Sequence, residues 1–380
     1  MATLKFKPLI ASLVAATYLF ASIGTTQACT SLMTIDINGN AYHGRGMEFS
    51  TVVPMTLTYI PAATHIESYT PAGKQGVTFD TKYAILAMTA TVLPKAKQAS
   101  VVQGSNDQGL SFSSNELNNS SAPPVGNDSA KILSVSDLGF WILGNFQTTA
   151  EVKAAMTNGG TDFWLPNIPL FDNVALPQHY AVHDKKGGAI VIEFYKGKVN
   201  VYDNPVGVLT NGPEFPWHLE NLNNYTFTNV DKNSGQLGKL KLATSDAGIA
   251  LAGLPSSQTA TGRFVKASFY ANYVRKGKTP DEAINILGHI LNNFDRPYDL
   301  TVDAAGGAGD GPRGNKQSSE STTWMVMHDL AQNRSYVRTI NALNWSVIDM
   351  NQLKDVKTMK SVSLFDVDKA GANAFTLFLK

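Results

Sequence analysis

One cysteine, Cys29, stands directly behind an apolar segment near the start of this 380-residue chain. That arrangement rules out much of what an exported protein usually relies on. A single thiol forms no internal disulfide, and the multi-cysteine zinc sites are equally closed to it. Lys5 and Lys7 precede an apolar run of 15 residues from Leu9 to Ile23, and Thr26-Gln27-Ala28 ends it in small residues where a signal peptidase reads. The run is shorter than the roughly 20 residues that span a bilayer, so stable membrane insertion is not expected. Residues 1–28 are therefore read as a signal peptide, and residues 29–380 as one domain that is periplasmic or secreted. Cleavage after Ala28 would put a thiol and a free α-amine on the same residue, the layout of an N-terminal nucleophile.

Composition narrows the classes further. Residues 29–380 carry 29 basic side chains against 30 acidic ones, once Lys5 and Lys7 are set aside, which gives no electrostatic case for nucleic acid or an anionic membrane. Cys29 is then structural filler, a lipid attachment point or a reactive thiol. Thr26-Gln27-Ala28 lacks the Leu or Val expected three residues before a lipidated cysteine, which favours the reactive thiol.

Short β-like runs dominate: Ser31–Ile37, Tyr42–Phe49, Leu110–Ser114, Tyr180–His183, Ala189–Phe194, Val199–Tyr202 and Trp324–Asp329. Helical periodicity is clearest over Ser136–Leu143, Thr149–Met156, Gly262–Lys276 and Pro280–Asn293. Their irregular alternation predicts an α+β fold rather than a doubly wound parallel sheet. The polar Asn118–Pro124 segment and the Gly-rich Ala304–Ser319 segment read as surface loops.

The Asn38-Gly39 dipeptide suits a two-residue type I′ hairpin, with Ile37 paired to Asn40. That register puts Glu48 directly opposite Cys29. Arg45 would then lie on the other face of its strand, and the flanking Gly44 and Gly46 would allow a bulge that turns it back towards the thiol, where its charge would favour thiolate. The α-amine, with an ordinary pKa of about 7.7–8.0, can take the thiol proton, so no histidine is required. A Cys-His pair of the papain kind could draw on seven histidines, but the papain signature is missing around Cys29. His179 and His183 have metal-pair spacing only on a helix; on a strand they are about 13 Å apart, and no metal or cofactor is expected. The plainer reading makes Cys29-Thr30 an ordinary strand start and Arg45 with Glu48 a solvated pair.

Cys29-Thr30-Ser31 with Gly44-Arg45-Gly46-Met47-Glu48-Phe49 resembles the start of the choloylglycine hydrolase family, which includes bile salt hydrolases and penicillin V acylases. Asn106-Asp107-Gln108-Gly109-Leu110, the segment Val201–Pro213, Leu219–Tyr225, Gly253-Leu254-Pro255 and Gly262–Ala267 extend the likeness, in order, along nearly all of the chain after residue 28. The resemblance implies a four-layer αββα sandwich of the N-terminal nucleophile hydrolase type, usually assembled as a tetramer. It implies that Cys29 is nucleophile and base, that Arg45 lies beside the thiol, and that Glu48 holds the amine where the family generally has Asp. It further makes Asn211 an oxyanion donor and has Arg263 order the cluster. Without the family, Asn211 is a turn former and Arg263 a charged helix position. At the position where bile salt hydrolases carry an oxyanion Asn, and penicillin acylases often Tyr, this chain has Glu116. A carboxylate aimed at an oxyanion is unfavourable, so Asn115 is the expected second donor. The implied activity is cleavage of a linear amide with an apolar acyl group, in penicillin V, an N-acyl homoserine lactone or a conjugated bile salt, through a thioester. The competing class is a non-catalytic ligand-binding or lipid-anchored protein on the same scaffold.

Overall fold

The computed structural model describes residues 28–49, 53–94, 96–169, 173–232, 234–244, 246–302 and 319–379. The expected signal segment up to residue 27 and most of the Gly-rich 304–319 loop lie outside the described residues. Among the described residues no helix is long and apolar enough to cross a membrane.

Two antiparallel sheets make the centre of the fold. In chain order their strands are β1 (Ala28–Ile35), β2 (Ala41–Phe49), β3 (Thr56–Ile60), β4 (Ile85–Ala90), β5 (Ser100–Asn106), β6 (Leu110–Glu116), β7 (Gln178–Asp184), β8 (Ala189–Tyr195), β9 (Lys198–Asp203), β10 (Val208–Leu209), β11 (Ser321–Asp329), β12 (Arg334–Thr339), β13 (Ser346–Asp349) and β14 (Lys360–Ser363). The first sheet runs β10-β1-β2-β11-β12-β13 and the second β9-β8-β7-β6-β5-β4-β3-β14.

Helices cover both outer faces. On the first sheet, Leu32, Tyr42 and Met325 pack against α4 (Ala260–Tyr273) and α5 (Pro280–Leu291). The contact is close because Gly44 has no side chain: a Cβ there would meet the Leu287 side chain at 3.0 Å. On the second sheet, Phe112, Tyr180 and Ile192 pack against α1 (Leu138–Asn145), with Val152 and Met156 from α2 (Thr149–Thr157) in the same core. The result is the expected αββα order. Helix starts follow from capping: the Thr148, Thr259 and Thr279 side chains accept from the main-chain N–H three residues on, and Pro280 opens α5.

The first hairpin corrects the expected register. Its loop is Ile37-Asn38-Gly39, one residue longer than a type I′ turn: Asp36 pairs with Asn40, the Gly39 N–H returns to the Asp36 carbonyl, and only Gly39 takes a positive φ, of 81°. The Asp36 carboxylate dictates this by accepting from the N–H groups of Asn38 and Asn40 at 2.8 and 2.9 Å, a side-chain turn that holds the loop open. The shift of one residue exchanges faces. Cys29 lies opposite Met47 and Ser31 opposite Arg45, so Arg45 shares the thiol's face without any bulge between β1 and β2. Glu48 lies opposite Ala28, on the helix-covered face.

The space between the sheets is divided. One end is apolar, with Met47, Leu86, Met88 and Val326 around Cys29. The other is polar: the rings of His43 and His183 are 4.5 Å apart, His328 stacks beyond His43 at 6.1 Å, and all three are almost fully buried. Ser31 and Ser335 hydroxyls bond His43 and His328 at 2.8 Å. Burial holds these rings neutral, pushing His183 down to about 4 and His328 to about 3, with His43 also well below its ordinary value. An unfolded histidine takes a proton near pH 6.5, while the folded site refuses it. The folded chain therefore loses stability relative to the unfolded one as pH falls from about 6.5 towards 4, at about 1.4 kcal/mol per pH unit per histidine. Glu48 and Asp137, whose carboxyls burial raises to about 7 and about 6, work in the opposite direction, so a difference measurement isolates the histidines. In urea unfolding, the stability gap between the wild type and His328→Asn is expected to close by about 1.4 kcal/mol for each unit from pH 6.5 to 4.5. A gap independent of pH would show that the buried ring does not resist protonation.

Candidate active site

The site forms where the start of β1 meets the segment that follows β10. An Asn-Pro turn delivers that segment: the Asn204 carboxamide accepts from the N–H groups of Val206 and Gly207 and donates to the Val208 carbonyl at 3.0 Å, while Gly207 takes a φ of 68°. Val208 and Leu209 then pair with Leu32 and Ser31, and Asn211 arrives beside Cys29. A second side-chain turn, with Asn106 Oδ1 accepting from Gln108 and Leu110 N–H and Gly109 at φ 82°, sets β6 and with it Asn115 and Glu116.

Arg45 Nη2 lies 3.2 Å from Cys29 Sγ, and the same guanidinium donates to the carbonyls of Val102 and Ser114 in the second sheet. Asn211 Oδ1 accepts from the Cys29 N–H and from Arg263 Nη2, both at 2.7 Å. These two donors fix which amide atom is oxygen. Asn211 Nδ2 is then left buried with no partner among the described residues, on a side chain that lines the cavity above β1. Arg263 Nη1 also holds the Cys29 carbonyl and, at 2.9 Å, the Thr30 hydroxyl.

Five of the six expected residues gather here: Cys29, Arg45, Asn211 and Arg263 by direct contact, and Glu48 on the opposite face of β2. Asn115 does not join them. Its Nδ2 reaches across the seam between the sheets and is committed to the carbonyls of Leu209 and Thr210 at 3.2 and 2.8 Å. Glu116 lines the cavity instead. Sequence reasoning missed Arg296 and Glu320, which form a largely buried ion pair of 2.6 Å in the cavity wall, and Thr322, whose hydroxyl lies 3.4 Å from Glu48 Oε1. They adjoin the Gly-rich loop and no motif marks them. Among the described residues no group of three or more His, Cys, Asp or Glu side chains is placed to hold a metal ion.

Ala28 occupies the decisive position. It is strand-paired with Glu48, only 5% exposed, and lines the cavity of about 850 Å³. With Ala28 in place, burial pushes the Cys29 thiol above its ordinary value; Arg45 pulls it down and Glu48 adds to the rise. Burial likewise pushes the Glu48 carboxyl up to about 7, against the pull of Arg263 and Arg296. Loss of Ala28 would open the space opposite Glu48, and a charged amino group on Cys29 would favour thiolate.

Two sheets between helical layers, with the nucleophile candidate on the first strand, define the N-terminal nucleophile hydrolase fold. Residues 29–361 match the family described as linear amide C-N hydrolases, choloylglycine hydrolase family, and the chain belongs to it. A bile salt hydrolase/transferase of Clostridium perfringens is 28% identical over 360 residues, covering 90% of this chain and 100% of that protein. A second, from Lactiplantibacillus plantarum, is 30% identical over 266 residues, covering 69% of this chain and 77% of the relative. The conjugated bile acid hydrolase structure from C. perfringens superposes with a TM-score of 0.72 at 26% identity, over 88% of this chain and 96% of that one. Penicillin V acylase from Agrobacterium tumefaciens shares the fold at a TM-score of 0.68 and 24% identity, over 88% and 92%. The chain is a hydrolase of linear amide C–N bonds.

Chains beginning at Cys29 and at Ala28 should differ in thiol reactivity. At pH 7, iodoacetamide is expected to alkylate the chain that starts at Cys29 at least about tenfold faster, since opening the cavity and adding a cationic neighbour both favour thiolate. Equal rates would show that Ala28 neither shields nor perturbs the thiol.

Proposed function

We propose that this chain is an exported cysteine amidase whose nucleophile and base are both supplied by Cys29 once residues 1–28 are removed. It hydrolyses penicillin V, N-acyl homoserine lactones or conjugated bile salts through a thioester. The observation that carries this reading is the buried, unpartnered Nδ2 of Asn211 on a side chain anchored by the Cys29 N–H. A preorganised donor left unsatisfied in the resting site is what an oxyanion requires. The family match beginning at Cys29 supports the same first residue.

In this mechanism the α-amine takes the thiol proton and Arg45 stabilises the resulting thiolate. Sulfur attacks the amide carbon, and the carbonyl oxygen takes up negative charge towards Asn211 Nδ2. Collapse breaks the C–N bond; the ammonium returns its proton to the departing nitrogen, leaving the acyl group on sulfur. Water, deprotonated by the same amine, attacks the thioester, and the carboxylic acid leaves as the thiol is regenerated. Arg263 holds the Cys29 carbonyl and Asn211 throughout, and Glu48 balances the charge of the ammonium.

Leu117, Pro213 and Ala260 offer the cavity an apolar wall for an acyl chain. Glu116, where bile salt hydrolases carry Asn and penicillin acylases often Tyr, supports penicillin V or acyl homoserine lactones over conjugated bile salts. Assembly as a homo-oligomer fits the exposed Leu237, Leu240 and Leu242. Export to the periplasm or medium rests on the signal-like segment.

Mass spectrometry of the active enzyme should give Cys29 as first residue, and amine release should be measured on glycocholate, taurocholate, penicillin V and long-chain acyl homoserine lactones. Cys29→Ser should lose nearly all activity, and Asn211→Ala should lower kcat by about 10²–10³. An active form that retains Ala28, or activity that survives loss of the thiol, would overturn the mechanism.

A further inference from the structure

We propose that His179, backed by Glu193, and His218 are positioning residues for Asn211, holding its main chain so that Nδ2 stays aimed at the oxyanion. The proposal rests on the reading of Asn211 as oxyanion donor. Three successive carbonyls lead through that residue, and each accepts from a buried side chain outside the segment. Leu209 O takes Asn115 Nδ2; Thr210 O takes Asn115 Nδ2 and, at 2.9 Å, His179 Nε2; Asn211 O takes His218 Nε2 at 2.8 Å. Asn115, His179, Glu193 and His218 are all fully buried.

The tautomers follow from the partners. A carbonyl only accepts, so Nε2 carries a hydrogen in both rings. His179 Nδ1 faces Glu193 Oε1 at 2.9 Å, and that oxygen also accepts the Phe215 N–H at 2.7 Å. The His179 ring is thus held at both nitrogens, between the Glu193 carboxyl group and the Thr210 carbonyl.

Phe215 begins α3 (Phe215–Asn221), the helix that carries His218, so one carboxylate oxygen ties together both histidine supports. The loop closes on the other side. His218 stacks on Phe264 of α4 with ring centroids 4.4 Å apart, and the adjacent Arg263 donates to Asn211 Oδ1. Everything that grips Asn211 is thereby linked to everything else that grips it. None of these three side chains needs to touch substrate.

His218→Phe keeps the ring stack and deletes the donor, while His179→Leu deletes the other and His179→Gln returns an N–H at the Nε2 position. A misplacement of the order of 1 Å costs about 10²-fold in rate, so His218→Phe and His179→Leu are expected to lower kcat by about 10–100-fold with KM within about threefold, and His179→Gln to recover most of the loss. An aldehyde analogue of the acyl group forms an S–C bond to Cys29, its carbonyl oxygen receiving the thiol proton in the oxyanion position. Its affinity should fall by the same factor, while that of the corresponding alcohol, which cannot add sulfur, should not change. Variants that melt like the wild type and retain kcat and aldehyde affinity, while Asn211→Ala loses both, would overturn the positioning role and leave the amidase mechanism standing. An Asn211→Ala enzyme with full kcat would overturn both. If His179→Leu does not fold, His218→Phe decides alone, since it keeps the ring stack on Phe264.

Discussion

The Arg45 guanidinium is the tie on which the site depends. It is fully buried, crosses from the first sheet to two carbonyls of the second, reaches Cys29 Sγ, and lies over the Trp324 ring at 5.2 Å. A buried cation is costly unless its hydrogens are used; two main-chain carbonyls and a sulfur take three of the five, while Nε has no partner among the described residues. The same bonds fix the spacing of the sheets around the thiol. Arg45 is therefore both a structural brace and a positive charge in contact with the thiol, and the two roles cannot be separated by moving it.

The first strand divides the chemistry between two faces. Sulfur points between the sheets, where Arg45 and an apolar core reduce its contact with water. The other face carries Glu48 and meets α4, from which Arg263 reaches the Cys29 carbonyl. Asn211 meets the Cys29 main chain from the end of β10. Ala28, paired to Glu48, occupies the remaining side. In this arrangement Ala28 fills the space opposite Glu48, at the cavity wall beside the Cys29 main chain.

Much of this was legible along the chain. The strands Ala189–Tyr195 and Gln178–Asp184 overlap the apolar runs that turn residues bound, and the helices over 260–273 and 280–291 overlap the segments where apolar residues recur at three and four, although the first stops at Tyr273, short of Lys276. Ile85–Ala90, buried on both faces, shows no alternation to read, and Ser100–Asn106 hides a polar row, Gln103 and Ser105, in the seam between the sheets. The hairpin register failed by one residue because the Asp36 carboxylate, not the Asn-Gly pair, governs the loop. That one residue decides which of Arg45 and Glu48 shares a face with the thiol.

By itself the sequence determined the nucleophile candidate, the α+β class, and the family to which the ordered motifs point, since these depend on residue identity and local spacing. The tertiary structure decided that Asn115 serves the main chain and Glu116 the cavity, and that His179, Glu193 and His218 converge on Asn211. Nothing in one dimension places residue 193 beside 215, or 263 beside 29. Those neighbours are made by sheet register and helix packing, and the polarity of a buried side chain shows only once its partners are assembled around it.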